Sequence, residues 1–314
     1  MSNAAILVEN VTKRFGSFTA VRDMNLTVPA GLVYGFLGPN GAGKTTTIRM
    51  ILSIFEPTEG RIQVLGHKSA LEVRNRIGYL PEEKGLYKKM QAWAVIAYFG
   101  ALKGLSRSEG KKRALALLEK YGLGEFVKYK CDALSKGMQQ KVQLLASIVH
   151  DPELVILDEP FSGLDPVNQE VMEGAISDLQ KAGKTVIFST HIMEHAERLC
   201  DRIVLIAGGK KVLDGTVAEA KKSIPRRLTI ATESDPSALS RIQGVRQIVE
   251  ITKQAGDPVR SYQIHVEDRF DPDEVLKACF ENHIQLRSFD RSDPGLREVF
   301  ISLVKAQGAG ALTQ

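Results

Sequence analysis

The stretch Leu32-Val33-Tyr34-Gly35-Phe36-Leu37-Gly38-Pro39-Asn40-Gly41-Ala42-Gly43-Lys44-Thr45 decides how the rest of the chain is read. Its first six residues form a buried strand pattern, and Thr45 to Phe55 reads as a helix. Between them the spacing is G-x-x-x-x-G-K-T, in the context of strand before and helix after. Glycines let the backbone curl, so that several N–H groups point at one phosphate chain. The helix N-terminus adds partial positive charge. The backbone from Gly38 through Pro39, Asn40, Gly41, Ala42 and Gly43 to Thr46 is the expected cradle. Lys44 would reach the β- and γ-phosphates, and the Thr45 hydroxyl would ligate Mg²⁺.

Working outward, Ile6–Val8, Leu26–Val28 and Ile62–Leu65 read as strands. Residues 83 to 150 read as helical. Leu154–Leu157 and Thr185–Ser189 are continuous apolar strands of the kind found in a parallel sheet covered on both faces. Asp165-Pro166 opens the helix between them. Strand–helix–strand alternation indicates an α/β sheet.

The first of these two strands ends in Asp158-Glu159. A carboxylate there can face the Mg²⁺ held by Thr45, the role expected of Asp158. Glu159 either points the other way along the pleat or sits just past it, where it would orient and deprotonate the attacking water. His191 follows the second strand, at the sheet edge where ligands of α/β folds bind. It would hydrogen-bond the γ-phosphate or that water.

These motifs, in this order, resemble the ATP-binding subunit of ABC transporters. The glycine loop is similar to that family's Walker A, LVILDE to its Walker B, Ser162–Asp165 to its D-loop, and His191 to its switch histidine. LSKGMQQKV, Leu134–Val142, resembles the signature motif, usually LSGGQQQR. The match runs from about Val8 to Gly215. The resemblance implies a P-loop NTPase fold with an inserted helical subdomain (about 83–150), ATP and Mg²⁺ as ligands, and hydrolysis of ATP. It implies a head-to-tail pairing with a second ATP-binding subunit, expected to be another copy of the chain. Ser135 and the Gly137 N–H would cap the γ-phosphate bound by the other copy, and Asp165 would lie at that shared site. Lys136 and Met138 depart from the usual signature, and Glu82 stands where the family has a glutamine near the metal. Phe15 is in position to stack on adenine, or to serve as a core residue. The segment 83–101, with Tyr87 and Trp93, is where relatives receive a membrane permease.

Hydrophobic content of 43% and charged content of 25% suit a globular chain with a core. The net charge of +5 is dispersed in short clusters, so no nucleic-acid partner is expected. The three cysteines show no disulfide or metal spacing. No leader or membrane-spanning run is read, and the resemblance then implies a protein at the cytoplasmic face of the membrane beside a separate permease. After residue 222 the character changes. Leu228–Ala231, Arg246–Ile251 and Tyr262–Val266 read as strands, and Pro272–Asn282 and Leu296–Lys305 as helices. A small α+β domain is expected over 223–308, with a disordered tail over 309–314. This extension, LPEEKGLY and the signature variant resemble ABC-2 type exporters, including sodium-efflux and drug-resistance ATPases. The alternative is a soluble ATPase of the same superfamily that acts on the ribosome. No second cassette or long coiled-coil insertion appears.

Overall fold

A computed structural model describes residues 4–83, 85–252, 259–267, 269–291 and 294–306. The described residues divide into two compact bodies. The first runs to Val217 and takes in the described residues from Val304 on, and the second covers Ala218–Leu303.

In the first body the elements are β1 (Ala4–Phe15), β2 (Phe18–Pro29), β3 (Val33–Leu37), α1 (Lys44–Ile51), β4 (Glu59–Val64), β5 (Ile77–Leu80), α2 (Ala92–Leu102), α3 (Arg107–Lys120), α4 (Lys136–Ile148), β6 (Leu154–Leu157), α5 (Pro166–Lys181), β7 (Thr185–Thr190), α6 (Met193–Leu199), β8 (Arg202–Ala207) and β9 (Lys210–Thr216). One sheet has the order β5-β6-β7-β3-β8-β9. Its strands are parallel except β9, which pairs antiparallel with β8. A three-stranded antiparallel sheet, β2-β1-β4, packs its apolar residues into the same core. The expected α/β architecture is present.

β3, β6 and β7 are buried along their whole length. Covering by other elements on both faces explains their unbroken apolar sequences. Tyr34 and Phe36 of β3 pack with Ile156, Ile187, Val204 and Ile206 of its neighbours and with Ile48 and Ile51 of α1. Burying a side chain of this size contributes roughly 1.5–3 kcal/mol. The sheet therefore holds the C-terminal ends of β6, β7 and β3 side by side, and the loops that carry the candidate site residues leave from those ends.

Two expectations shift. α1 stops at Ile51 rather than Phe55, because Ser53 takes a left-handed φ of 55° and the Ile54 and Phe55 amides fold back on the Arg49 carbonyl. The 83–150 segment is not uniformly helical. Residues 85–91 hold no helix, and they run beside residues 127–132. There Met90 O accepts from Cys131 N and Lys88 O from Asp132 N. The apolar run from Met90 becomes α2, which buries Val95 and Ile96 but exposes Tyr98 and Leu102. No helix among the described residues is long and apolar enough to cross a membrane.

His150, just after α4, is partly buried, with Nε2 3.1 Å from the Ile77 carbonyl oxygen. Burial, with Lys103 nearby, pushes its pKa down to about 4 from 6.5. The unfolded chain then binds the proton more readily between those values. Stability is full above pH 6.5 and is lost as pH falls toward 4. Replacing His150 by Asn is expected to flatten that acid limb. The check is urea unfolding on both sides of the window.

The second body contains α7 (Val217–Lys222, whose first residue belongs to the first body), β10 (Arg227–Thr232), β11 (Val245–Thr252), β12 (Arg260–Val266), α8 (Asp273–Glu281), β13 (Leu286–Asp290) and α9 (Leu296–Ala306, to Leu303 within this body). The sheet order is β11-β12-β10-β13, antiparallel throughout. Leu228, Ile230, Ile264 and Val266 face α8 residues Val275 and Cys279. β13 is a strand that the sequence reading did not find. The 309–314 tail lies outside the described residues.

Candidate active site

Gly43 takes a φ of 103°, and a Cβ there would lie 2.7 Å from the Ala20 carbonyl oxygen. Only glycine fits that combination without strain. The turn delivers Lys44 as the first residue of α1. Lys44 is 5% exposed. Its Nζ donates to the carbonyls of Gly38 (2.8 Å) and Pro39 (3.2 Å) and lies 3.2 Å from Glu159 Oε1. The loop's ammonium group is thus held inside its own cradle, against a carboxylate from the neighbouring motif.

β6 ends at Leu157, and Asp158 and Glu159 follow it. Glu159 sits just past the strand with a left-handed φ of 47°, which takes its side chain out of the pleat. This settles the two positions that its sequence left open. Asp158 is fully buried. Its Oδ1 accepts from Ser189 Oγ (2.5 Å) and Thr45 Oγ1 (3.2 Å). Burial pushes the Asp158 carboxyl above its ordinary range, against the pull of those two hydroxyls. Its Oδ2 is buried and has no hydrogen-bond partner. Buried acceptors are rarely left unpaired. An orphaned carboxylate oxygen beside a threonine hydroxyl fits Mg²⁺, which binds through one or two carboxylates plus substrate oxygens.

His191 leaves the end of β7, and its Nδ1 lies 2.9 Å from Glu159 Oε2. Glu159 is therefore bracketed by Lys44 on one oxygen and His191 on the other. Among the described residues no group of three or more His, Cys, Asp or Glu side chains is poised around one metal position.

A cavity of about 460 Å³ opens over the loop. Residues Pro39 to Thr46 line it, together with Glu82, Glu159, Ala20 and Phe18. Glu82 thus shares one cavity with the phosphate loop. Phe15 does not line it. It is 44% exposed, edge-on to Phe55 at 5.6 Å, with Lys13 Nζ 5.1 Å from its ring centre. Phe18, its cross-strand partner, borders the cavity instead. The sequence reading passed over Phe18, since an aromatic two residues past a glycine turn carries no spacing signal.

Ser135, Gly137 and Asp165 are not among the walls of this cavity. Ser135 caps α4, its Oγ accepting from Met138 N at 3.2 Å. Asp165 caps α5, accepting from the Asn168 backbone N at 2.9 Å, and this bond holds its carboxyl below the usual range. The first turns of α4 and α5 lie against each other, since a Cβ on Gly137 would collide with the Asn168 side-chain amide.

Ser189 was also missed. Its hydroxyl donates to Asp158 and accepts from Glu159 N at 2.9 Å, so one buried group fixes both acids. Ser189→Ala leaves a buried N–H unpaired, and a loss of about 1–3 kcal/mol in unfolding free energy is expected. Chemical denaturation of the variant checks this.

Residues 21–162 match the family model of ABC transporters, and residues 215–304 match that of the ATP-binding protein DrrA1-3-like, C-terminal domain. The uncharacterized ABC transporter ATP-binding protein YhaQ of Bacillus subtilis (strain 168) is 39% identical over 302 residues, covering 96% of this chain and 99% of its own. The daunorubicin/doxorubicin resistance ATP-binding protein DrrA of Streptomyces peucetius is 33% identical over 308 residues, covering 95% of this chain and 92% of its own. A solved dimeric ATP-binding cassette in a post-hydrolysis state, bound to ADP and Pi, matches with a TM-score of 0.62 at 27% identity, over 67% of this chain and 98% of that one.

Proposed function

The chain belongs to the ATP-binding proteins of ABC transporters, and on that premise we propose that it is the ATP-hydrolysing subunit of an exporter whose membrane-crossing part is a separate permease. One observation supports the chemistry most directly. Lys44, Thr45, Asp158, Glu159 and His191, from three separate loops, form a single bonded cluster at the edge of the sheet.

In this reading the loop amides from Gly38 to Thr46 and Lys44 hold the phosphate chain. Thr45 and Asp158 would hold Mg²⁺, with Glu82 at the cavity wall, and the bound ion would neutralise charge on the phosphates. Glu159 accepts a proton from the water that attacks the γ-phosphorus. His191 keeps the Glu159 carboxylate aimed and donates toward the γ-phosphate. The P–O bond to the β-phosphate breaks, giving ADP and phosphate. The base rests near the end of the β1–β2 hairpin, where Phe15 and Phe18 face each other across the strands.

Ser135 and Gly137 stand apart from the chain's own cavity, and Ser135 is exposed. The reading assigns them, with Asp165, to the γ-phosphate held by that copy. Closure on ATP and release after hydrolysis then drive the permease. Residues 1–222 carry this work, and residues 223–308 form an accessory domain. The match of that domain to the C-terminal domain of DrrA-like proteins favours transport over a ribosomal role. The protein sits on the cytoplasmic face of the membrane, bound to its permease.

Affinity purification of the tagged chain from detergent-solubilised membranes is the test. Recovery with an integral-membrane protein, in a complex that hydrolyses ATP, is expected. Recovery with ribosomal proteins and no membrane protein would overturn the reading.

A further inference from the structure

The chain's positive charge is unevenly placed. Residues 85–135 hold ten Lys or Arg and four Asp or Glu, a net +6. The whole chain is +5, so everything else together is −1. The clusters are short and scattered in sequence, but the fold gathers several of them.

The segment before α2 runs beside residues 127–132, through Ala92 N to Tyr129 O (2.9 Å), Asp132 N to Lys88 O (3.0 Å) and a bridge between Gln91 and Lys130. Lys111 of α3 reaches across to Trp93, its Nζ 5.1 Å from the ring centre. Lys88, Lys89, Lys128 and Lys130 thus lie on the paired segments beside Tyr129 and the start of α2, Lys111 lies over Trp93, and all five are exposed. Lys89 pairs with Asp132 at 2.9 Å. The other four make no ion pair among the described residues. Tyr129 is 52% exposed, and it packs edge-on against Phe126 at 5.3 Å.

Unpaired lysines around a half-exposed Tyr and a partly buried Trp match the chemistry of a bilayer's headgroup layer. Amphipathic rings settle there, and anionic lipid attracts basic side chains. The cations are lysines, compact charges on long stems, rather than the planar forks of arginine that read nucleic acid. We propose that this face of the helical subdomain binds anionic phospholipid headgroups directly, without the permease. The inference deepens the proposed placement of the protein at the membrane and rests on that reading for its setting. Its test does not need the permease.

The test is sedimentation of the purified full chain with phosphatidylcholine vesicles, with and without phosphatidylglycerol. Binding is expected only to the anionic vesicles, weakening as salt rises. A lysine near an anionic surface contributes roughly fivefold in affinity, so replacing Lys88, Lys111, Lys128 and Lys130 by Gln together should weaken binding by about 600-fold. Basal ATP hydrolysis and thermal midpoint should stay unchanged, since none of the four touches the nucleotide site. Equal binding to neutral vesicles, or an unaffected quadruple variant, would overturn the proposal. So would binding to heparin or RNA with none to vesicles. Failure of the wild-type chain to bind any vesicle while it still co-purifies with a permease would assign the patch to protein and leave the transport reading standing.

Discussion

Glu159→Gln stops turnover while leaving ATP bound. A positioned general base contributes about 10²- to 10⁴-fold to a rate, and a loss of that size is expected in steady-state phosphate release. The substitution is nearly isosteric, so the hydrogen bond to His191 and the buried packing survive. Binding should tighten rather than weaken. In the empty pocket Glu159 holds Lys44 at 3.2 Å, and the phosphate chain must compete for that ammonium. Removing the carboxylate's charge removes the competitor. The variant should therefore elute as an ATP-loaded dimer in size-exclusion chromatography, where the wild type returns to monomers as it hydrolyses. Hydrolysis at the wild-type rate would show that Glu159 is not the base.

The second large effect comes from mixing two dead proteins. Lys44→Ala disables the cradle in its own chain. Ser135→Arg blocks the cap that its chain offers to the other copy. Each homodimer of either variant has two broken pockets. A mixed dimer has one pocket broken twice and one intact, made from the Ser135→Arg chain's cradle and the Lys44→Ala chain's cap. Random pairing makes half the dimers mixed, so about one quarter of wild-type activity should return. A mixture that stays inactive, together with a strictly monomeric wild type at full rate, would refute the shared pocket.

The parts of this site that were legible in the sequence are those encoded locally. The β3 run, the glycine spacing and Lys44-Thr45 lie in one continuous stretch, and each residue's neighbours in sequence are also its neighbours in space. Ser135 reads as a helix cap for the same reason. Asp158 and Glu159 were visible because an apolar strand ends abruptly in acids. The less legible parts depend on contacts across the fold. Ser189 lies at the end of an apolar strand with a common hydroxyl residue on the other side, and its importance appears only when β7 is set beside β6. Phe18 looks like any exposed aromatic until the hairpin carries it to the cavity. β13 alternates polarity too weakly to stand out, since Arg287, Ser288 and Asp290 are all exposed. The end of α1 was overrun because Ile54 and Phe55 continue its apolar pattern after the backbone has already turned.

The Lys44–Glu159 contact also has a bearing on what the idle protein ignores. A small anion drifting into the empty loop meets an ammonium that is already neutralised. It would have to evict a carboxylate and the carbonyls of Gly38 and Pro39 in return for one or two new bonds. A long polyphosphate touching many amides at once recovers that loss, whereas inorganic phosphate or sulfate does not. The resting lock therefore screens the abundant simple anions of the cell, and the protein waits unblocked for the molecule that fuels it.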